Sequence, residues 1–263
     1  MQISGLNPMK NKILLFPIAI LALMAGCASV PGKGDPRDPF EGYNRAVYKF
    51  NDGLDRAILK PVAQGYDFVV PGPVKTGIRN FFSNLGEPVI IVNDVLQGKG
   101  RQAGSDTTRF LVNTTIGLGG VLDMATRAGL PKNNEDFGQT LGKWGVNSGP
   151  YLVLPLLGPS TVRDALGRPV DAQLQYTTLV DHVPTRNTGY AIEVIDTRTS
   201  LLGASNILGE ASLDPYTFVR DAYLRRRQLL VYDGNPPKSK DDLDDEDPEA
   251  PAKKPEAPPP EQK

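Results

Sequence analysis

The chain holds one cysteine and one histidine in 263 residues, and each scarcity removes a class of chemistry. A lone Cys27 cannot close an internal disulfide or build a cysteine zinc site. A lone His182 excludes HExxH metal motifs, paired-histidine zinc sites and most Ser-His-Asp triads. The Asp181-His182 pair lies in a proline-flanked stretch, LVDHVPTRN, that reads as a surface loop. No G-x-S-x-G elbow is present. GLGG at 117–120 lacks G-x-G-x-x-G spacing and follows a helix-like segment, so it is no nucleotide loop. Asp52 and Asp55 could pair as acid and base, but they lie on an exposed helix face without other catalytic parts. Lys plus Arg number 29 against 30 Asp plus Glu, a balance that offers no basic stripe to nucleic acid. The expectation is a protein that is not an enzyme, needs no cofactor or metal, and binds no nucleic acid.

Long apolar runs are also scarce, and the one that matters is near the start. MKNKILLFPIAILALMAGC (9–27) has a basic n-region at Lys10 and Lys12, an apolar stretch over 13–24 and the small pair Ala25-Gly26 before Cys27. That is a secretory signal, too short to serve as a spanning helix. Met9 is a candidate for the true start. Small residues ahead of a cysteine are what bacterial lipoprotein processing reads, so Cys27 is the expected lipidated residue, and several acyl chains on it would make a permanent anchor. Ala28, rather than Asp, follows it, which points to the periplasmic side of the outer membrane. At the other end, residues 234–263 carry nine acids, five lysines and eight prolines, the composition of a disordered tail. The expected organisation is a signal over 1–26, a lipidated linker over 27–37, one helical domain over 38–233 and the acidic tail over 234–263.

Period-two strands are nearly absent, while helical periodicity is everywhere. Phe40, Tyr43, Val47, Phe50, Leu54 and Ile58 form one apolar stripe, and Asp38, Pro39 and Glu41 offer a D-x-x-E start for that helix. Its opposite face is rich in amides and ion-pair candidates. Further helices are expected over 73–85, 87–97, 102–115, 135–143, 160–173 and 190–208, with another after Asp214-Pro215 that carries three arginines, 225–227, towards the negative end of its dipole. Gly- and Pro-rich links punctuate them. The fold expected is all-α.

One segment resists that reading. GPYLVLPLLGPSTVRD (149–164) places seven apolar residues, Tyr151, Leu152, Val153, Leu154, Pro155, Leu156 and Leu157, between two Gly-Pro pairs. It is far short of the roughly 20 residues needed to span a bilayer. Pro155 disfavours both a buried helix and a central strand. Burying its large side chains would contribute on the order of 10 kcal/mol.

Five segments, DPFEGYNRAVYKFNDGLDRAILKPVAQGY (38–66), NFFSNLGEPVIIVNDVLQG (80–98), TRFLVNTTIGLGGVLDMA (108–125), DFGQTLGKWGVNSGPYLVLPLLGPSTVRD (136–164) and DPYTFVRDAYLRRR (214–227), resemble the MlaA (VacJ) family of outer-membrane lipoproteins. The resemblance implies a ring of amphipathic helices lying in the inner leaflet of the outer membrane around a polar channel. It implies removal of misplaced phospholipids from the outer leaflet and their transfer to a soluble periplasmic phospholipid carrier, which supplies an ATP-driven inner-membrane transporter. A trimeric outer-membrane porin is the implied neighbour. On this reading Asn44, Asn51 and Asp55, along one polar side of the first helix, would line the channel. The 151–157 run would be a hairpin beside the channel that touches lipid, because irregular backbone at membrane depth must lie against protein or a wet cavity. Trp144 would pack at the hairpin base. The alternative is a porin-associated scaffold lipoprotein that moves no lipid.

Overall fold

The computed structural model describes residues 35–205 and 213–237. The signal, Cys27, most of the tail and residues 206–208 of the expected long helix lie outside them. Ten α-helices and one small hairpin make up the regular structure there, so the fold is all-α in the sense expected. In chain order they are α1 (Glu41–Leu54), α2 (Lys60–Val69), α3 (Gly72–Leu85), α4 (Glu87–Leu96), α5 (Gly100–Thr115), α6 (Met124–Arg127), α7 (Phe137–Lys143), β1 (Tyr151–Leu154), β2 (Gly158–Thr161), α8 (Val162–Leu174), α9 (Val183–Ser200) and α10 (Pro215–Val231).

A π-helical turn, Asp55–Leu59, joins α1 to α2 without a break. Pro61 supplies the reason. It has no N–H to give and its ring crowds the carbonyl four residues back, so the ladder widens by one residue ahead of it. The Lys60 N–H accordingly donates to the Asp55 carbonyl, five residues earlier. The helix predicted to start at Asp38 begins instead at Glu41, and Asp38 does not cap it. Glu41 pairs with Arg45 at 2.7 Å rather than closing a capping box. Four other helices do take side-chain caps of the usual kind: Asp123, Asp136, Thr161 and Asp214 each accept an N–H from the first turn of α6, α7, α8 and α10. His182 caps α9 in the same way through Nδ1, which gives the one histidine a structural task and starts the helix at Val183 rather than Tyr190.

The elements touch in a closed circuit. α1 packs on β1, β2 on α10, α10 on α7, α7 on α4, α4 on α3, α3 on α9, and α9 on α2, which continues into α1. α5 lies along α4, and α8 lies along α7 and β2. The α4–α5 connection is short, and the turn after α5 runs through Leu118, Gly119 and Gly120 with positive φ throughout. A Cβ at Gly120 would stand 2.5 Å from that of Asn84 on α3, so glycine there lets the turn rest directly on its neighbour.

The burial pattern is inverted relative to a water-soluble domain. Among the described residues twenty polar or charged side chains are buried and only nine hydrophobic ones, while large apolar residues crowd the surface. Phe50, Ile58, Phe68 and Val69 all point outward along α1 and α2, Phe68 at 92% exposure. The expected apolar stripe of the first helix therefore exists, but much of it faces away from the protein. No helix among the described residues is long and apolar enough to cross a membrane.

Candidate functional site

The apolar run of 149–164 folds as an antiparallel hairpin, with Tyr151 opposite Thr161 and Leu154 opposite Gly158. A strand was disfavoured here because of Pro155. The structure corrects this: the strand stops at Leu154, and Pro155 falls in the turn, where its missing N–H costs no ladder bond. Alternation then sorts the run. Tyr151 and Val153 point inward, fully buried against Tyr216, with Val47, Tyr48, Tyr223 and Leu224 around them. Leu152 and Leu154 are half-buried, and Leu156 and Leu157 are exposed at the tip. Leu156 adopts φ +65°, the left-handed region that a leucine enters at a steric cost of about 1–2 kcal/mol.

Asn44 and Asn51 explain how so small a sheet survives. The Asn44 amide donates to the Tyr151 carbonyl at 3.1 Å and accepts the Val153 N–H at 2.8 Å. Asn51 repeats the arrangement two helical turns on, donating to the Leu154 carbonyl at 3.0 Å and accepting the Leu156 N–H at 2.9 Å. Seven helical residues rise about 10.5 Å, which carries Asn51 to the end of the strand, where it serves the Leu154 carbonyl and the N–H of Leu156 in the turn. Carboxamides serve because they set an N–H donor and a C=O acceptor side by side on separate atoms, as a backbone pair does. The helix thereby replaces a third strand. On the same edge the Tyr151 N–H donates to the Arg37 carbonyl at 2.8 Å.

Asn44, at 0% exposure, therefore has no open face to offer a channel; its expected lining role gives way to seating the hairpin. Its Nδ2 also donates to Asp38 at 2.7 Å, and buried Asp38 accepts from the Tyr216 hydroxyl. Burial, followed by that carboxylate's hydrogen bond, pushes the Tyr216 hydroxyl well above the usual phenol range. Asp55 turns from the hairpin towards α9, where Arg198 grips both its oxygens at 2.6 and 2.9 Å. Asn51 and Asp55 are thus committed to the hairpin and to α9 respectively. Trp144 is not at the hairpin base; it is half exposed, its indole N–H donates to the Leu96 carbonyl at 3.0 Å and so closes α4, and its ring meets Phe137 edge-on.

A cavity of about 400 Å³ opens among α3, α4, α7, α9 and α10, all members of the closed circuit. Its lining combines apolar Phe82, Leu85, Val89 and Ile90 with polar Gln139, Glu193, Arg226 and Arg227. Arg227 is held by Asp136 and Asp164, each at 2.9 Å from Nη2. Its burial would lower the guanidinium pKa, yet these carboxylates carry it above the ordinary arginine value. Two buried polar atoms of these lining residues have no hydrogen-bond partner, Gln139 Oε1 and Arg227 Nε. The sequence reading assigned 225–227 only to the helix dipole. A signal was there: three consecutive arginines lie about 100° apart around a helix, so they cannot all face water when one side of it is packed.

α5 carries a buried polar cluster on the side towards α4 and α6. Arg109 reaches the Thr126 hydroxyl at 3.0 Å and Asp123 at 3.3 Å, with Glu87 at 3.5 Å. Asp94 and Asp106 are both fully buried, Asp106 accepting from Asn133 at 3.0 Å. Burial, then the hydrogen bond and charge of Asp106, push the Asp94 carboxyl up to about 8. No group of three His, Cys, Asp or Glu side chains able to hold a metal occurs among the described residues.

Residues 36–230 match the family model described as MlaA lipoprotein. The chain is 34% identical over 246 residues to the "Intermembrane phospholipid transport system lipoprotein MlaA" of Haemophilus influenzae, covering 90% of this chain and 98% of that one. The Escherichia coli protein of the same name is 38% identical over 229 residues, covering 85% and 90%. A solved structure, described as "Structural basis for maintenance of bacterial outer membrane lipid asymmetry", superposes with TM-score 0.66 at 38% identity, covering 74% of this chain and 98% of that one.

Proposed function

The chain belongs to the MlaA lipoprotein family, and we propose from its inverted burial that it lies in the inner leaflet of the outer membrane and carries phospholipid through its own ring of helices. It is a lipoprotein of an intermembrane phospholipid transport system that maintains outer-membrane lipid asymmetry. It takes misplaced phospholipids from the outer leaflet and hands them to a periplasmic carrier.

The observation that carries the membrane placement is the apolar exterior. Exposed large apolar residues such as Phe68, Val69, Leu156 and Leu157 are of the kind that mark a membrane or protein contact when they gather on a surface. Against acyl chains they cost nothing, and the polar side chains gather inside, where hydrogen bonds satisfy them. The helices lie along the leaflet rather than across it, as amphipathic interfacial helices do. A lipid leaving its leaflet needs a wet path for the headgroup beside an apolar boundary for the tails, and the cavity lining has side chains of each kind.

Cys27, in this reading, is acylated and anchors the domain through the 27–37 linker, and the hairpin tip, Leu156 and Leu157, contacts lipid. A trimeric porin flanks the ring, and the carrier feeds an ATP-driven transporter of the inner membrane. The chain itself hydrolyses nothing, and any driving force enters through these partners.

The test is the phospholipid content of the outer leaflet in cells lacking the protein and in cells given it back. Surface phospholipid that rises on loss and falls as intact lipid on restoration is expected. An unchanged leaflet with reduced porin would make the protein a scaffold. Leu156→Asp with Leu157→Asp should abolish restoration while the protein still accumulates; full restoration by that double variant would remove the hairpin from the lipid path.

A further inference from the structure

The polar lining of the cavity is divided by charge in a way that a generic wet path does not require. Arg226 is exposed and makes no ion pair or hydrogen bond with the described residues, whereas its neighbour Arg227 is held by two carboxylates. Beside it, the buried Nε of Arg227 is a donor without an acceptor. Two acceptors in the same lining are equally under-used. Glu193 receives only the Tyr176 hydroxyl, at 2.9 Å on Oε2, which leaves Oε1 open. Gln139 is 2% exposed, and its Oε1 has no donor. Two donors and two acceptors with unused hydrogen-bonding capacity thus belong to residues that line one space of about 400 Å³, towards the small end of the range for ligand pockets, too small for a diacyl lipid but adequate for a headgroup.

We infer that this cavity is a subsite for a zwitterionic phospholipid headgroup, with Arg226 and the Arg227 Nε–H donating to the phosphodiester and Glu193 and Gln139 accepting from a primary ammonium. The assignment rests on the transport reading above. The phosphodiester is common to all phospholipids, so the arginines set affinity; guanidinium suits it because its N–H groups form a planar fork. The ammonium is what differs, so the acceptors set selectivity. A primary ammonium has three N–H donors to fill Glu193 Oε1 and Gln139 Oε1, whereas a quaternary ammonium has none, and a glycerol headgroup brings no positive charge to Glu193. The apolar lining residues Phe82, Leu85, Val89 and Ile90 would then take the first carbons of the acyl chains.

The experiment uses the full-length protein in detergent micelles doped with equal amounts of short-chain phosphatidylethanolamine, phosphatidylcholine and phosphatidylglycerol of identical acyl length, and counts each lipid retained on the protein. Wild type is expected to hold phosphatidylethanolamine over each of the others by roughly tenfold, the scale of one charge-assisted hydrogen bond. Glu193→Gln should bring the three towards parity while phosphatidylglycerol binding stays where it was. Arg226→Gln should lower all three together and leave their ratio. Parity in the wild type overturns the assignment without reference to any variant, and so does a preference that survives Glu193→Gln. The cellular assay separates the two levels. Parity with intact lipid removal refutes the headgroup subsite alone, whereas an outer leaflet indifferent to loss of the protein refutes transport and the subsite with it.

Discussion

The inside and the outside of this protein have exchanged the roles they have in a water-soluble domain. Inside, around α5 and beneath the hairpin, cohesion comes from Arg109, Asp106, Asn44 and Asp38 meeting partners at hydrogen-bond distance. Outside, along α1, α2 and the hairpin tip, residues such as Phe68 and Leu156 are left bare. The difference teaches where specificity resides. Apolar contact with lipid is non-directional, so it can hold a helix in a leaflet but cannot set its neighbour. Directional polar pairs can, and a buried one left half-made costs about 1–3 kcal/mol.

Breaking the interior should therefore hurt far more than altering the exterior. Arg109→Met, which strips partners from Glu87, Thr126 and Asp123, should destabilise the detergent-solubilised protein by about 3–5 kcal/mol in urea unfolding, as expected when one member of a buried charged network is removed. A loss below 1 kcal/mol would show that the network is not the glue. Asn44→Leu should cost about 2–4 kcal/mol by orphaning the Tyr151 carbonyl and the Val153 N–H. Asn51→Ala, nearer the tip and half-exposed, should cost clearly less, and equal losses would refute the graded seat.

Asp94 gives a pH test of the same interior. Its folded pKa of about 8 exceeds the ordinary carboxylate value of 3.8, so the native state keeps a proton that the unfolded chain releases between those values. The contribution of this group to stability must then fall as pH rises from about 4 to about 8 and level off above. Asp94→Asn, whose amide can donate to Asp106 at any pH, should flatten that slope and leave the variant more stable than wild type at pH 8. A slope unaltered by the substitution would place the titration elsewhere. The smallest effect belongs to the exterior: Phe68→Ser should change stability in detergent by no more than about 0.5 kcal/mol, while weakening partition of the unacylated protein into lipid vesicles.

The helices were legible from period and punctuation because both act within a few residues. Gly72–Leu85, Glu87–Leu96 and Gly100–Thr115 fall within two residues of the predicted spans. The boundaries that moved did so through contacts made across the chain: Asp38 was drawn from its cap to Asn44 and Tyr216, and the first residues expected in α8 were taken by β2. The polar side of the first helix was visible as a pattern, but its task was not, because the carbonyls and N–H groups it serves lie 103 to 109 residues away. The cavity was invisible for the same reason, five helices contributing to it.

By itself the sequence determined that the chain is helical, and it carried the signal layout and the single histidine on which the expectations of export and of no catalysis rest, since these are local or compositional facts. Only the tertiary structure decided which amides face the hairpin, which arginine stays open, and that the apolar stripes look outward. Those outcomes depend on which groups are brought within about 3 Å of each other, and that distance is set by chain closure rather than by neighbours in the sequence.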